Sequence, residues 1–363
     1  MSQKKKKIAL IGYRLSGGGS DKVMANLSLF FEKQGFEVDI IIVLNEVSFP
    51  YSGKLVNLGL LKNKSNGFLN KWKRLNALRK YLEQNQFDFI IDFRFRTKIL
   101  QELILSRFIY NTKTIFTVHS FLIDHYMPNN SWLTRLMYNH CFANVALGNE
   151  MKNLIEEKHQ LKNIVSIPNP VYLEEILEKE KENCELKFHF ILAVGQYENE
   201  IKQFDKLILN YADSILPQKN IHLVILGNGD KTRLEKVISD SKMTDFVHLL
   251  GYQNNPFKFM NKAHFVVLSS KNEGFPNVIL ESLACKTPVI SFDCDFGPRD
   301  IIENSKNGIL VENQNWQKLT EAMNEMIVNE NLYETCKENA FESVQKFSLE
   351  KIGQQWLYLL NSK

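Results

Sequence analysis

The chain has 363 residues, is 44% hydrophobic and 24% charged, and carries a net charge of +4. That length exceeds one ordinary core and suits two domains, and the apolar content excludes a disordered chain. Five scattered cysteines, odd in number and never spaced C-x-x-C, argue for a reducing compartment and against a zinc site. No apolar run is long enough to span a bilayer, and the start, MSQKKKKIALIG, has only a strand's length of apolar residues, so it does not read as a signal peptide. Residues 1–170 hold 24 Lys and Arg against 13 Asp and Glu, leaving 21 against 28 in the remainder. A basic half joined to an acidic half points to an anionic partner, such as a membrane surface or a phosphorylated lipid.

Lys7–Gly12 predicts a buried strand, and it runs into a loop with three glycines, Gly17, Gly18 and Gly19. An amphipathic helix over Asp21–Lys33 follows, with Ser20 as the expected N-cap and Asp21 complementing the helix dipole. Phe36–Leu44 is the second strand. A glycine loop between strand and helix either lets backbone approach a ligand or is only a turn; it lacks the G-x-G-x-x-G of a dinucleotide site. In residues 67–83, Phe68, Trp72, Leu75, Leu78 and Leu82 repeat at helical spacing, and Lys71, Lys73, Arg74, Arg79 and Lys80 fill the other face. This reads as a helix with its stripe on the core, or as an interfacial helix on anionic lipid. Arg94, Phe95, Arg96 and Lys98 form a second basic–aromatic cluster after the strand Phe87–Phe93. No nucleic-acid module is recognisable, so no nucleic-acid partner is expected. Thr114–His119 predicts a strand with His119 at its carboxyl end, where open α/β sheets bind ligands, followed by a flexible stretch holding His125, Pro128 and Asn129. A histidine there is either structural or part of a site. A short strand at Val145–Leu147, a helix from Asn149, a strand at Ile164–Ile167 and Pro168-Asn169-Pro170 close this half.

The charged segment Val171–Leu186 reads as a linker or surface helix. Strands are expected at Phe188–Val194, His222–Leu226 and Val247–Leu250, with helices over Lys231–Ser241 and Pro256–Lys262. His264–Leu268, the loop Ser269–Pro276, the helix Asn277–Cys285 and the strand Pro288–Phe292 make a βαβ unit. Pro276 suits the first helical position, Glu273 sits in the loop mouth and Glu281 on the second turn. The free N–H groups within residues 274–278 offer a dock for an anion or a sugar hydroxyl. Gly297-Pro298-Arg299-Asp300 opens another helix, and Gly308–Val311 is a strand. Helices follow at 316–328 and 332–346, then an amphipathic segment, Ser348–Leu360. Repeated βα units, a hinge and βα units again predict two doubly wound, Rossmann-like domains facing across a cleft: 1–170, a linker 171–187, and 188–347.

Glu273-Gly274-Phe275-Pro276-Asn277-Val278-Ile279-Leu280-Glu281, continued by Ser282 to Cys285 and by Thr287 to Ser291, resembles the E-x7-E motif of the retaining, GT-B-fold glycosyltransferases of family 4. The resemblance runs through nearly the whole chain, strongly over 247–311 and loosely over the first half. It implies the GT-B fold, with the segment 348–363 packing back on the first domain and Pro168–Val171 as the hinge. It implies a UDP-sugar donor, no cofactor and no metal. Gly17 and Gly18 would lie beside the donor diphosphate, and His119 beside the donor sugar. Lys202 would grip the diphosphate. The family's partner arginine is replaced by Gln196, leaving Arg14 or Arg299 as candidate second cations. Backbone at Gly251 or Tyr252 would meet the base, Glu281 the ribose, and Glu273 the donor sugar; Gly274, Phe275, Pro276, Asn277 and Val278, at the helix start, are further donor-binding candidates. Glu273, His119 and Lys202 are thus the catalytic candidates. The family usually ends the motif helix with Gly; Lys286 stands there, and a left-handed lysine costs about 1 kcal/mol.

Glu273–Asn277 with Asp293-Cys294 and Gly297-Pro298 further resembles the bacterial branch that adds N-acetylhexosamines or galactose to polyprenyl-diphosphate-linked glycans. That implies UDP-GalNAc or UDP-GlcNAc as donor, and a lipid-linked acceptor held by Lys71, Trp72, Arg74, Arg79 and Lys80. The expected location is cytoplasmic, peripheral on the inner face of the plasma membrane. The alternatives are a soluble acceptor, or a non-catalytic protein that keeps the GT-B shell, for which Gln196 is the support.

Overall fold

The computed structural model describes residues 5–62, 67–198 and 200–362. The chain divides into two compact units, one running up to Pro170 and taking in the residues from Leu349 on, the other Val171–Ser348.

In the first unit the elements are β1 (Lys7–Gly12), α1 (Gly19–Lys33), β2 (Glu37–Ile42), β3 (Lys54–Asn57), α2 (Phe68–Asn85), β4 (Phe89–Asp92) and α3 (Ile99–Ile104), which passes into a π-helical turn, Leu105–Ile109. Then come β5 (Lys113–Val118), α4 (Ser131–Tyr138), β6 (Ala143–Ala146), α5 (Asn149–His159) and β7 (Ile164–Ser166). The strands form one parallel sheet in the order β3-β2-β1-β4-β5-β6-β7. Order reverses between β1 and β4, the crevice where such sheets bind ligands outside the strands' carboxyl ends. The central strands are buried on both faces, which is why Ile8–Ile11 and Ile40–Ile42 read as unbroken apolar runs.

The second unit holds α6 (Leu173–Lys179), β8 (His189–Val194), α7 (Phe204–Ala212), β9 (Ile221–Leu226), α8 (Thr232–Asp240), β10 (Val247–Gly251) and α9 (Phe257–Met260). It continues with β11 (Val266–Leu268), α10 (Asn277–Ala284), β12 (Val289–Asp293), α11 (Pro298–Ile301), β13 (Gly308–Glu312), α12 (Trp316–Val328) and α13 (Glu330–Val344). Its sheet is also parallel, in the order β10-β9-β8-β11-β12-β13, with the reversal between β8 and β11. The last helix, α14 (Leu349–Asn361), belongs to the first unit, where it packs on α1. Ile352, Trp356 and Leu360 are buried, and a Cβ on Gly353 would stand 2.4 Å from the Phe30 ring, so the glycine sets how closely the helices approach.

Several local expectations need correction. α1 starts at Gly19, one turn-residue ahead of Ser20, and its N-cap, Gly18, makes no side-chain bond. Pro276 is the N-cap of α10, in extended backbone, rather than its first residue. β3, α3 with its π turn, and α4 were not foreseen. β3 is a four-residue edge strand with little burial, and the α3 stretch is apolar on both its buried and its exposed side. The stretch with His125, Pro128 and Asn129, expected to be flexible, leads into the capped α4: the Asn130 side chain accepts from Leu133 N–H at 3.1 Å. Among the described residues no helix is long and apolar enough to cross a membrane.

Candidate active site

In the second unit the carboxyl ends of β8, β9 and β10 are tied into one platform. Gly195 N–H donates to Leu226 O at 2.9 Å, and Gly227 N–H to Gly251 O at 3.0 Å. Beneath them lies the buried Tyr197, whose hydroxyl donates to Ile225 O at 3.1 Å and accepts from Gly251 N–H at 2.7 Å. A Cβ on Gly227 would sit 1.7 Å from Gly195 O, so no other residue fits that crossing. Tyr197 was not singled out from sequence, although an aromatic inside a glycine-bounded turn is the available signal. Gly251 has φ +72° with open space around it, and Tyr252 beside it is exposed.

The loop after Tyr197 is stitched to the exit of β11. Lys271 N–H donates to Ile201 O at 2.8 Å, and the Ser269 hydroxyl donates to Lys202 O at 2.7 Å. The Lys202 stem lies flat on Gly195, where a Cβ would come within 2.9 Å of its Cγ. Its ammonium meets Glu273 Oε1 at 2.6 Å, with the side chains 18% and 14% exposed. Two residues 71 apart in sequence thus form one mostly enclosed ion pair. Cys294 is adjacent; burial, then the Glu273 charge, push its thiol up to about 12, so it stays protonated.

The loop leading into α10 is fixed from two sides. The buried Phe275 ring packs edge-on against Phe347 at 5.5 Å. Gly297, at φ +90°, lies against the same loop, and a Cβ there would stand 2.6 Å from Pro276 Cδ and 3.1 Å from Gly274 O. Glu281 is half-buried on α10, and Gln196 is exposed. Neither candidate second cation is unengaged: Arg299 pairs with Asp293 at 2.8 Å, and Arg14 with Glu46 at 2.7 Å and Asp21 at 3.3 Å.

In the first unit Arg14 packs beside Gly17, which has φ +73°, and Gly18 lies so near Asp21 that a Cβ would come within 2.9 Å of its carboxylate. Burial lifts the Asp21 pKa to about 6 despite Arg14. His119 follows β5 directly and stacks on Phe93, ring centroids 5.5 Å apart. Both its ring nitrogens are enclosed, and neither reaches a partner at normal hydrogen-bond geometry. Burial first, and the Arg96 charge second, lower its pKa to about 3, with Asn169 pulling weakly the other way. The imidazole is therefore neutral at any physiological pH.

The second basic–aromatic cluster is a correction. Arg94 and Arg96 are both buried. Arg94 grips Asp92 through two bonds of 3.0 and 2.7 Å and reaches Glu102 at 3.0 Å. Burial alone would raise the Asp92 pKa, but Arg94 holds it below the usual carboxylate value. Arg96 donates to Tyr126 O, Arg94 O and Thr117 O at 3.0, 3.1 and 2.9 Å, and its guanidinium stacks over Phe116, Tyr126 and Tyr138. These arginines pin the loop after β4 to the exit of β5, beside His119, and do not face a membrane. On α2, Leu78 and Leu82 are buried as the core reading expects, while Trp72, Lys71, Arg79 and Lys80 are exposed. Arg74 is half-buried and donates to Val43 O at 3.1 Å, and Arg79 pairs with Glu83 at 2.8 Å.

Comparison with known proteins decides the family. A family model described as Glycosyl transferases group 1 matches residues 174–343, and one described as Glycosyltransferase Family 4 matches residues 17–175. A glycosyltransferase of Methanocaldococcus jannaschii, itself uncharacterised, is 30% identical over 294 residues, covering 69% of this chain and 72% of that one. The chain belongs to these glycosyltransferases.

This glycosyltransferase is also 29% identical, over 370 residues and 98% of its length, to the N-acetylgalactosamine-N,N'-diacetylbacillosaminyl-diphospho-undecaprenol 4-alpha-N-acetylgalactosaminyltransferase of Campylobacter jejuni, of which it covers 99%. The solved structure of a variant of S. aureus TarM, in complex with Fondaparinux, alpha-GlcNAc-glycerol and UDP, matches with a TM-score of 0.77 at 18% identity, over 98% of this chain and 100% of that one. The two parallel-sheet units are those of the GT-B fold, and the chain is a transferase rather than a non-catalytic shell. Lys202, Glu273, Gly195, Gly274, Phe275 and Pro276 lie together in the second unit of this glycosyltransferase; Gly17, Gly18 and His119 belong to the first.

Proposed function

We propose that this glycosyltransferase moves a hexose or N-acetylhexosamine from a UDP-sugar to a polyprenyl-diphosphate-linked glycan, with retention at the anomeric carbon. The observation that carries the reading is the enclosed Lys202–Glu273 pair of 2.6 Å, beside the start of α10. An ammonium and the first-turn amides of a helix, which have no acceptor within the helix, are the groups that stabilise a departing diphosphate. Lys202 is assigned that charge. Gly274, Phe275, Pro276, Asn277 and Val278 are assigned the phosphate-facing backbone, and Glu281 the ribose hydroxyls. The open space beside Gly251 and the exposed Tyr252 ring are assigned the uracil. Glu273 is assigned the donor sugar, where a carboxylate accepts hydroxyl protons.

The sugar C1–O bond to the β-phosphate breaks as the acceptor oxygen bonds to C1, and the acceptor's proton passes to the leaving phosphate. His119 is assigned a place beside the donor sugar and, being neutral, is assigned no proton transfer. Gly17 and Gly18 present backbone to the diphosphate or acceptor. The lipid-linked acceptor places the enzyme at an anionic membrane surface, and no metal is assigned a role. The relative from Campylobacter jejuni, named for an undecaprenol-diphosphate acceptor, supports the acceptor class, and UDP in the TarM complex supports the donor. A panel of nucleotide sugars tests the reading. A UDP-sugar should raise the melting temperature and be consumed only when a polyprenyl-diphosphate glycan is added, giving a product with the donor's anomeric configuration. No stabilisation by UDP or any donor would refute it.

A further inference from the structure

The helical stretch 99–109 is apolar on both faces. Its inward face is Glu102, Leu105 and Ile109, all buried, with Glu102 bonded to Arg94. Its outward face carries Leu100, 72% exposed, and Phe108, 75% exposed, with Ile99 also exposed and Leu103 and Ile104 half-buried between them. A surface helix of a globular domain turns charged and polar groups, not leucine and phenylalanine, to water. Beneath it the Arg94 guanidinium, already paired with Asp92, has further N–H donors, and the inward Glu102 carboxylate lies 3.0 Å from one of its nitrogens. The core is thereby satisfied, but nothing in the fold requires leucine and phenylalanine on the other side.

The patch has neighbours of the same kind. The π turn packs against α4, which exposes Trp132 at 66%. Lys98 precedes the stretch and Arg107 lies within its outward face. The Lys71 ammonium of α2 stands beside Lys98 and pulls its pKa down, so two like charges share one border. Glu102 is the one acid between residues 97 and 111, and it points inward. The outward surface is thus apolar and aromatic with basic edges.

We propose that the outward face of residues 99–108, with Trp132 and the Lys71–Lys98 border, is the surface by which this glycosyltransferase docks on an anionic lipid bilayer. The proposal rests on the lipid-linked acceptor reading and moves the contact from the charged face of α2, where Arg74 and Arg79 are engaged within the protein. Apolar side chains enter the headgroup boundary, tryptophan suits that depth, and lysines meet lipid phosphates. A second copy of the chain is the poorer occupant, because a two-fold contact would press the basic border against itself.

Sedimentation of the full chain with vesicles tests it. Wild type should bind phosphatidylglycerol-containing vesicles and ignore pure phosphatidylcholine. Leu100→Glu with Phe108→Glu should lower binding tenfold or more, as should the milder Leu100→Gln with Phe108→Gln. Lys71→Glu with Lys98→Glu should lower it and flatten its salt dependence. All variants should keep the wild-type melting temperature and its shift with UDP. Wild-type binding by the Leu100/Phe108 variants would overturn the proposal, as would a wild type that ignores anionic vesicles. A concentration-dependent dimer abolished by these substitutions would also overturn it, assigning the face to a second copy. Transfer to a short-chain, water-soluble prenyl-diphosphate acceptor separates the two readings. It should persist in the Leu100/Phe108 variants, and its failure in wild type would count against the acceptor assignment, leaving the vesicle result to judge the surface.

Discussion

Lys202→Met is the most informative substitution. Methionine keeps the stem that lies on Gly195 and removes only the ammonium, leaving Glu273 largely enclosed without its partner. An exposed ion pair is worth about 1 kcal/mol or less, and removing one member of a fully buried pair costs about 3–5 kcal/mol. At 18% and 14% exposure this pair lies between, so we expect a loss of about 1.5–2 kcal/mol. For a unit of this size that lowers the melting temperature by roughly 3–8 °C. Glu273→Gln strands no carboxylate, and the double variant should recover about 1–2 kcal/mol relative to the sum of the singles. Urea denaturation of the four proteins at pH 7.5 measures the coupling. The same cycle read with UDP gives opposite signs: Glu273→Gln frees the lysine and should tighten UDP by about threefold to tenfold while turnover collapses, whereas Lys202→Met should abolish the UDP-induced shift. Additive stabilities, or weaker UDP binding by Glu273→Gln, would refute the pairing argument.

Further expectations concern backbone and pH. Lys286 has φ +60° and closes α10 through Lys286 N–H to Leu283 O and Thr287 N–H to Ser282 O, both 3.0 Å. Lys286→Gly should relieve about 1 kcal/mol of strain. It also loses about 0.5 kcal/mol from the lysine's contact over Phe341, so melting should rise by a degree or two without changing donor binding. An unchanged or lower melting temperature would contradict this. Gly227→Ala should cost about 3 kcal/mol by collision with Gly195 O, whereas Gly251→Ala, at positive φ in open space, should cost about 1 kcal/mol; equal losses in urea melts would show the platform is looser than described. His119 and His159, lowered by burial to about 3 and about 4, are neutral in the folded state. The unfolded chain takes up protons near pH 6.5, so their stabilisation is complete above that pH and falls by about 1.4 kcal/mol per unit per histidine as the pH drops toward the folded values. Asp21 opposes this: with its folded pKa raised to about 6, it gains stability between pH 6 and 4. His119→Asn should flatten the loss between pH 6.5 and 5 measured by urea titration, and an unchanged slope would show that His119 is not the group responsible.

The fold was legible because its signals are local. Buried parallel strands print as apolar runs such as Ile8–Ile11, and α10 with its flanking strands prints as a βαβ unit around Glu273 and Glu281. The lysine in the left-handed position after α10 was legible for the same reason, since the helix's stop and the residue standing there are adjacent in sequence. What sequence could not decide is where a charge goes once the chain is folded. Arg94 and Arg96 look like surface cations beside Phe95, yet one is closed over two carboxylates and the other over four carbonyls and three rings, because β4, β5, α3 and α4 bring in partners that the sequence keeps apart, Tyr138 being far beyond Arg96. The same stretch that turns Glu102 inward beside Leu105 and Ile109 leaves Leu100 and Phe108 outward, an apolar outer face that periodicity would not assign. Residue type and spacing fixed the strands, the turns and the identity of the acidic motif. The partner of each charge, and therefore its exposure and its use, was set by tertiary contacts between residues that the sequence keeps apart.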